Sequence, residues 1–460
     1  MMRLAKIIAT MGPSTADYAV VRKMISAGAD GFRINLSHGD IAQWSSFADM
    51  VERASSELRT PVALIADLEG PRIRLGPFEG LDVTPGMAVR FKYKDAEGDG
   101  VPVDGRAFFT TIEKGDRVLV DDGKVVMTVE DVERDSATLR VVSGSRLEPR
   151  KGVVVAGKEY DLPPVTEKDL QDMKFIASRG FDYVMASFVR SARHVEVVRR
   201  ALAELGAQDV KILAKIETPS GVRNIDEILD VVDGVVVARG DLGMHFPLEE
   251  IPLIQRRIID AARRKLKPVI LATEIFMSMI ERPIPTRGEI SDVYAGVEEG
   301  VDGFLVTSET SIGKYPVEVV SWLSRVIEEA NKSVRPRRIE PPSLSLEARV
   351  SRGVVELAQS VGASIVAYVN DFDSARLLAA FRPQTPIYVG VPDQRLARAL
   401  TVTWGTSPVV VDGGLDELKG LEETEAELRR RGVMGPGTLV VELSWSRDKS
   451  TALVKVRQVF

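Results

Sequence analysis

The feature of this chain that most constrains its fold is a repeated alternation of short apolar runs with segments whose apolar residues recur at helical spacing. The apolar runs read as strands at residues 6–11, 31–35, 61–67, 182–187, 210–216, 234–238, 267–273 and 303–307. About eight strand–helix units is the number that closes a parallel barrel. An open doubly wound sheet is the nearest alternative, but it normally carries a glycine-rich phosphate-binding turn after its first strand, and residues 11–14 do not form one. We therefore predict an α/β protein with a (β/α)8 TIM barrel.

Two segments interrupt this alternation. After Gly70 and Pro71, short valine-rich runs alternate with turns containing Gly and Asp, which predicts an inserted all-β lid domain. Residues 335–342 are rich in arginine and proline and indicate a linker, beyond which α/β alternation resumes and ends in two strands of antiparallel pattern. We assign residues 1–72 and 158–333 to the barrel, 73–157 to the lid and 334–460 to a C-terminal α/β domain.

Charged residues end two neighbouring strands in the stretch from residue 210 to residue 243. Lys215 and Glu217 end the first strand, and Arg239 and Asp241 end the second. In a parallel barrel, the groups that do chemistry project from the carboxyl ends of the strands, so these side chains would meet in one cleft. Two carboxylates beside a lysine suit a Mg²⁺ and anion site, because a hard cation takes oxygen ligands. The alternative explanation of this stretch, taken alone, is two surface ion pairs at the strand ends.

Composition excludes several other kinds of site. The chain of 460 residues has no cysteine, which rules out disulfides and thiolate chemistry and suits a reducing, cytoplasmic setting. Its three histidines are too few to favour a zinc enzyme. The net charge of −6 comes without a long run of one sign, so we expect no binding to nucleic acid or to a membrane surface. We also expect neither a signal peptide nor a membrane span.

Arginine, lysine and carboxylate dominate the polar residues that follow the barrel strands. The set is Thr10, Arg33, Asn35, Asp67, Arg72, Arg74, Ser187, Lys215, Glu217, Arg239, Asp241, Thr273, Glu274 and Thr307. Arginine and lysine match phosphate oxygens, whereas paired carboxylates recruit Mg²⁺. This combination predicts phosphoryl transfer or enolate chemistry.

Five motifs then resemble those of the pyruvate kinase family, in the same order and over almost the whole chain. They are KIIATMGPS at 6–14, RINLSHG at 33–39, KIE at 215–217, ARGDLG at 238–243 and PTRGEISDV at 285–293. Each is weak alone, but together with the inserted β domain and the C-terminal α/β domain they are highly specific. The resemblance implies transfer of the phosphoryl group of phosphoenolpyruvate to ADP through an enolate, by an allosteric homotetramer.

The resemblance also implies roles for individual residues. Glu217 and Asp241 would hold Mg²⁺ or Mn²⁺, Lys215 would stabilise the phosphoryl group in flight, and Arg33 would hold the phosphate. Thr273 would lie near the enolate carbon that receives the proton, although a helix N-cap would also explain a threonine there. The implied substrate-binding set is Arg33, Ser187, Lys215, Gly240, Asp241 and Thr273, with the backbone N–H groups of Gly240 and Asp241 facing the substrate carboxylate. The implied nucleotide-binding set is Asn35, His38, Arg74 and Lys151, of which His38 could equally be a turn-stabilising residue.

One departure from the family pattern concerns a monovalent cation. Most members carry a glutamate after Gly-Pro, where this chain has Arg72, and that glutamate accompanies a K⁺ ion held by residues matching Asn35, Ser37 and Asp67. A fixed positive charge could substitute for the ion, so we predict that K⁺ is not required. A surface arginine without such a role is the alternative. Glu274 and Ile312 also depart from the family pattern, where Gln and Lys are usual.

A second departure concerns the C-terminal domain. Relatives that respond to fructose 1,6-bisphosphate carry a Ser/Thr-rich phosphate loop, whereas residues 370–374 here contain two aspartates, which repel phosphate. We therefore predict no activation by fructose 1,6-bisphosphate. Ser374, Ser446, Arg447 and Lys449 could still hold a different phosphorylated effector, or they could form a solvated loop without a ligand.

Two other functions use similar residues. A Mg²⁺-dependent lyase or aldolase acting on a pyruvate enolate would need the carboxylate pair but neither the lid nor Arg74 and Lys151. A non-catalytic metabolite sensor would keep the fold without turnover, although the intact Lys215, Glu217 and Asp241 argue against it.

Overall fold

The first 67 residues form three of the strands that build the barrel. The computed structural model describes residues 3–412, 416–446 and 448–459. Along the chain come β1 Lys6–Thr10, α1 Tyr18–Ala27, β2 Gly31–Asn35, α2 Ile41–Leu58 and β3 Ala63–Asp67. Every residue of β1 and β3 is buried, which explains why these strands read as continuous apolar runs rather than as an alternating pattern.

The inserted domain is rich in sheet. Its elements are β4 Leu81–Asp82, β5 Ala88–Tyr93, β6 Val101–Val103, α3 Ala107–Thr111, β7 Arg117–Val120, β8 Val125–Val132, β9 Ser136–Ser143, β10 Arg146–Leu147 and β11 Val153–Val155. The main sheet has the order β11-β7-β8-β9-β5-β6, and β10 pairs with β4. The sequence pattern indicated strands alone, but a short helix, α3, also forms because Phe108 and Phe109 bury their rings in the core of this domain.

The barrel resumes after the lid. The remaining barrel elements are α4 Glu167–Arg179, β12 Tyr183–Ala186, α5 Ala192–Glu204, β13 Lys211–Ile216, α6 Pro219–Arg223, α7 Ile225–Val231, β14 Gly234–Ala238, α8 Arg239–His245, α9 Ile251–Arg264, β15 Val269–Ala272, α10 Arg287–Glu299, β16 Gly303–Leu305, α11 Ser308–Ser311 and α12 Pro316–Ser333. Within the described ranges, eight parallel strands close in the order β1-β16-β15-β14-β13-β12-β3-β2. The predicted (β/α)8 barrel is therefore confirmed.

The C-terminal domain is a second α/β unit. It contains α13 Leu346–Val361, β17 Ser364–Tyr368, α14 Phe372–Ala380, β18 Ile387–Val391, α15 Gln394–Leu400, β19 Thr406–Val410, α16 Glu417–Arg430, β20 Leu439–Trp445 and β21 Ala452–Gln458. The sheet order is β19-β18-β17-β20-β21, and β21 runs antiparallel to β20 as its pattern predicted. Strand β19 and helix α16 were not predicted from the sequence pattern.

The C-terminal domain packs against the amino end of the barrel, away from the strand ends that carry the predicted site. The Tyr183 hydroxyl at the start of β12 donates to the Ala399 carbonyl at 2.5 Å. Arg382 and Arg398 of the C-terminal domain form ion pairs with Asp302 and Asp182 of the barrel, at 2.5 and 3.0 Å. This contact leaves the carboxyl end of the barrel open to the lid.

Candidate active site

A cleft of about 800 Å³ lies between the carboxyl ends of the barrel strands and the lid. The predicted site residues that line it are Arg33, Asn35, Ser37, His38, Asp67, Arg72, Arg74, Lys151, Ser187, Lys215, Glu217 and Asp241. They converge because parallel strands end at the same rim: in the register of β2 and β3, for example, Asn35 lies beside Asp67. The predicted convergence at the strand ends is therefore what the structure shows.

Lys215 lies at the centre of this cleft. Its Nζ donates to the Ser187 hydroxyl at 2.9 Å and forms ion pairs with Glu217 Oε1 at 2.9 Å and with Asp67 Oδ1 at 3.5 Å. Burial disfavours the charged amine, but Asp67, Glu217 and Asp241 outweigh it and raise the pKa of Lys215. The amine is therefore a fixed positive charge rather than a base.

Glu217 and Asp241 are the two carboxylates predicted to hold the metal, and both line the cleft together with Lys215. Glu217 is fully buried, and its Oε2 accepts the Phe188 N–H at 2.7 Å. Its Oε1 lies beside Lys215, but no hydrogen bond of good geometry reaches that oxygen from any described residue. Burial, together with the nearby charge of Asp241, raises the pKa of Glu217 to about 7.

These two carboxylates fit a divalent cation. An unsatisfied oxygen in a fully buried carboxylate is destabilised until a cation or proton reaches it. Within the described residues there is no cluster of three or more His, Cys, Asp or Glu suited to a metal. A cation here would take two ligands from the protein and keep its other positions for substrate and water, which suits Mg²⁺ bound with a phosphorylated ligand.

Arg33 is positioned by Asp67. Its Nε donates to Asp67 Oδ2 at 2.6 Å and one terminal nitrogen to the Thr10 hydroxyl at 3.3 Å. Burial raises the pKa of Asp67, but Lys215 and Arg33 outweigh burial and hold it below its usual value. Asp67 therefore stays ionised and orients two cations toward the cleft.

Arg72 lies in the cleft and is mostly buried. Its terminal nitrogen pairs with Asp241 Oδ1 at 2.9 Å and approaches Asp122 Oδ1 of the lid at 3.7 Å. The surface-arginine alternative therefore does not describe this residue. Among the described residues, the ion pairs of Asp67 are with Arg33 and Lys215 and not with Arg72. Arg72 thus shares the cleft with Asn35, Ser37 and Asp67 but has other partners.

The residues predicted on the nucleotide side lie where lid and barrel meet. Arg74 donates twice to Glu69 Oε1, at 3.0 and 2.7 Å, and once to the Arg150 carbonyl. Lys151 pairs with Asp121 Oδ1 at 3.1 Å. Burial and the charge of Arg74 lower the pKa of His38, so this imidazole is neutral at physiological pH.

Thr273 and Gly240 lie beside the cleft and contact each other. The Gly240 N–H donates to the Thr273 hydroxyl at 2.8 Å, so it is not free to bind a carboxylate in this structure. Asp241 and Gly240 do open a short helix, α8, as the sequence suggested. Thr273 has a positive φ of 68°, and Arg239 binds its carbonyl at 2.8 Å while pairing with Asp292. A strained residue held by its neighbours is typical of functional sites.

The described members of the predicted effector set lie in α14 and in the segment between β20 and β21, and each pairs with a nearby aspartate. Asp371 accepts the Ser374 N–H and hydroxyl, at 2.9 and 2.8 Å, and pairs with Lys449 at 3.2 Å. The Ser446 hydroxyl donates to Asp448 at 2.7 Å. Arg447 lies outside the described residues. Carboxylates of the chain itself therefore take the donors that a phosphate would use.

Several residues around the cleft were missed by the sequence analysis. Glu69 and Asp122 line the cleft but were not among the predicted site residues. Glu309 is fully buried and accepts backbone N–H groups of Ile275, Phe276 and Thr307, which ties together the loops after β15 and β16. This role of Glu309 had no local sequence signal, because its partner Ile275 is separated from it by 34 positions in the chain.

The barrel, the lid and a cleft that combines positioned cations with a carboxylate pair define a phosphotransferase. Among the helices of the described residues, none is long and apolar enough to cross a membrane. The family model "Pyruvate kinase, barrel domain" matches residues 2–320, and "Pyruvate kinase, alpha/beta domain" matches residues 348–456.

Individual relatives agree with these matches. The pyruvate kinase of Aeropyrum pernix is 44% identical over 457 residues, covering 99% of this chain and 98% of the relative. That of Mycobacterium tuberculosis is 38% identical over 421 residues, covering 89% and 88%. The crystal structure of pyruvate kinase from Pyrobaculum aerophilum superposes with a TM-score of 0.89 at 35% identity and covers 99% of both chains. This chain belongs to the pyruvate kinase family.

Proposed function

We propose that this chain transfers the phosphoryl group of phosphoenolpyruvate to ADP, and that Lys215 stabilises the group during transfer. The observation that carries the proposal is the position of Lys215 Nζ, between Ser187, Asp67 and Glu217 at the centre of the cleft. A loose phosphoryl-transfer transition state is accelerated by positioned cations. Lys215 and Arg33 are both held in place by Asp67, so they meet the transferring phosphate without reorganising.

In this mechanism, Glu217 and Asp241 would hold Mg²⁺ or Mn²⁺. When bound, the divalent cation supplies positive charge that neutralises substrate oxygens. Ser187 orients the Lys215 amine, because its hydroxyl accepts from Nζ and donates to the Leu68 carbonyl at 2.7 Å. The Thr273 hydroxyl, which accepts the Gly240 N–H, would relay a proton from solvent water to the enolate carbon and so complete pyruvate.

The nucleotide would bind on the lid side, at Asn35, His38, Arg74 and Lys151. Arg74 and Lys151 both lie in the lid and bring positive charge to the cleft. The Asn35 amide accepts the Ser37 N–H at 3.1 Å, which leaves its NH₂ group to a ligand. Closure of the lid over this site would exclude water and limit hydrolysis.

One assay separates this proposal from its alternatives, namely pyruvate formation from phosphoenolpyruvate with and without ADP. We expect pyruvate to form in proportion to ADP and in the presence of Mg²⁺. A lyase or aldolase would release its product without ADP, and a metabolite sensor would bind phosphoenolpyruvate without turnover. Either result would remove the proposed activity.

We also propose that turnover does not require K⁺. Arg72 supplies a permanent cation within the cleft, and Asp67, which matches a K⁺ ligand of the family, is already neutralised by Arg33 and Lys215. Replacing K⁺ by tetramethylammonium should leave turnover unchanged, whereas Arg72→Glu should create a need for K⁺. A many-fold drop in the turnover of the unmodified enzyme on this replacement would contradict the proposal.

For regulation, we propose that fructose 1,6-bisphosphate does not activate. The Asp371 carboxylate already accepts from Ser374 and pairs with Lys449, so a phosphate entering there would have to displace a like charge. Sugar phosphates and triose-derived acids titrated against the substrate saturation curve test whether Ser374, Ser446, Arg447 and Lys449 bind another phosphorylated effector. An unchanged curve throughout would remove the effector site.

The remaining parts of the proposal are a homotetramer and a cytoplasmic location. Both follow from the family rather than from a contact in this structure. Light scattering on the purified protein measures the assembled mass, and a monomer mass would contradict the tetramer.

A further inference from the structure

Arg72 stands between the barrel and the lid with a carboxylate on each side. The same terminal nitrogen lies 2.9 Å from Asp241 Oδ1 in the barrel and 3.7 Å from Asp122 Oδ1 in the lid. Burial opposes the charge, but Asp241 and Asp122 outweigh it and raise the pKa of Arg72. A short movement of the Arg72 guanidinium would therefore change its closer ion-pair partner from Asp241 of the barrel to Asp122 of the lid.

Asp122 has no competing cation within the described residues. Its neighbour Asp121 is engaged by Lys124 at 2.9 Å and Lys151 at 3.1 Å, whereas the ion pair of Asp122 is the long one with Arg72. The Asp122 side chain is 73% exposed, and both aspartates have positive φ angles of 53° and 54°. This strained turn places a spare carboxylate at the mouth of the cleft.

The Arg72 side chain is enclosed by residues of the barrel and of the lid. Its guanidinium lies 5.5 Å from the centre of the Phe188 ring, and a methyl group at Gly152 of the lid would stand 3.2 Å from its Nε. Next to it, Leu119 and Val154 of the lid pack on Met244 of α8, the helix that carries Asp241. The lid thus rests on the element that bears a proposed metal ligand, with Arg72 enclosed between them.

We propose that Arg72 and Asp122 form a latch that couples divalent-cation binding to lid closure. The inference rests on the proposed metal site at Glu217 and Asp241. A divalent cation at Asp241 cancels the charge that holds Arg72 and repels the guanidinium, which then moves to Asp122 and pulls the lid inward. Linkage makes the effect reciprocal, so the closed lid raises the affinity for the cation. Asp122 is a positioning residue that acts through Arg72.

The absence of cysteine allows a direct measurement of lid position. Spin labels on Lys114→Cys in the lid and Glu204→Cys in the barrel, both exposed, report the distance between the domains by double electron–electron resonance. Labelled chains are diluted with unlabelled chains so that each assembly carries one labelled copy. Distances are recorded with and without Mg²⁺. In a separate experiment, the affinity for Mn²⁺ is measured from the electron paramagnetic resonance signal of unbound Mn²⁺.

With native residues at 72 and 122, we expect Mg²⁺ to shorten and narrow the distance distribution. Asp122→Asn should abolish this response and weaken Mn²⁺ binding about two- to fivefold, the range for a partly exposed ion pair. Asp131→Asn, at an exposed lid aspartate, is the matched control and should change neither. Arg72→Gln should remove the lid response too, and adding Asp122→Asn to it should have no further effect on Mn²⁺ affinity.

Two results would overturn the latch, and they differ from each other. If Mg²⁺ shortens the distance between the labels in Asp122→Asn as much as it does with the native residues at 72 and 122, Asp122 takes no part in closure. If Mn²⁺ binds equally well to Glu217→Gln, the proposed metal site is wrong and the latch has no driving cation. The first result leaves the metal site standing, whereas the second removes both.

Discussion

At the carboxyl end of the barrel, Lys215 faces Asp67, Glu217 and Ser187 together, whereas at the amino end Arg382 faces Asp302. The amino-end pair is complete. Asp302 also accepts backbone N–H groups of Val269 and Trp404, and Arg382 donates to two carbonyls. At the carboxyl end, by contrast, Glu217 Oε1 and Arg72 Nε have no hydrogen-bond partner in the described part of the chain.

This difference separates two uses of buried charge. A buried ion pair whose polar atoms are all satisfied resists the loss of either partner, because the other would be left as an uncompensated charge. Buried charges that remain partly unsatisfied lower the stability of the fold but can pair with a ligand. We therefore expect the Arg382–Asp302 pair to govern stability and the charges around Lys215 to govern activity.

The largest expected effect is on catalysis at the carboxyl end. Lys215→Met should lower the rate of pyruvate formation by about 10³-fold, since it removes a positioned charge that acts in the transition state. Lys211→Met, at the opposite end of the same strand β13, is the matched control and should leave the rate within a few-fold. Equal losses in both variants would show that the strand, not the charge, matters.

The next effect is on stability at the amino end. Asp302→Asn should lower the free energy of unfolding by about 3–5 kcal/mol, because Arg382 is left buried without its partner. Turnover measured well below the unfolding temperature should be retained. Breaking the exposed pair between Glu281 and Lys314 with Glu281→Gln should change stability by less than about 1 kcal/mol. If Asp302→Asn lost turnover at a temperature where it is still folded, Asp302 would be needed for activity as well as for stability, which would contradict this expectation.

Lys6 makes the stability of the amino end depend on pH. Burial lowers its pKa to about 8 from 10.5, and its Nζ donates to the Thr406 carbonyl at 2.6 Å. Between these two pKa values the unfolded chain binds more protons than the folded chain, so stability rises as pH increases from 8. The contribution of Lys6 to the free energy of unfolding should increase by about 2 kcal/mol over about 1.5 pH units above pH 8.

Lys6→Met should lose that rise, and Lys23→Met, at an exposed lysine of α1, should keep it. Denaturant unfolding at a series of pH values measures the difference. Parallel curves for the native protein and Lys6→Met would show that Lys6 does not titrate in this range.

The smallest expected effect is that of the hydroxyl beside Lys215. Ser187→Ala should lower turnover about tenfold, the size expected for a hydrogen bond to a charged group, with little change in the unfolding midpoint. Ser178→Ala, which removes a hydroxyl on α4 bound to the Phe175 carbonyl, serves as the control. A change in substrate affinity without a change in turnover would mean that Ser187 does not position the amine for catalysis.

The amino-acid sequence by itself determined the barrel and the main residues of the cleft. Continuous apolar runs bury both faces of a strand, and parallel strands bring their carboxyl ends to one rim, so Lys215, Glu217 and Asp241 had to meet. The same reasoning placed Arg33 and Asp67 with them. Local turn and strand patterns also predicted the inserted domain and the antiparallel last strand.

Only the tertiary structure decided which partner each charge takes. Arg72 and Asp241 are separated by 169 positions in the chain, and Asp122 reaches Arg72 because the lid rests on Met244. Likewise, the pairing of Asp371 with Lys449 and the contact of Gly240 with Thr273 depend on how separate elements pack. Periodicity reports which face of an element is buried, but an ion pair forms over a few ångströms, and only the packed fold defines distances of that size.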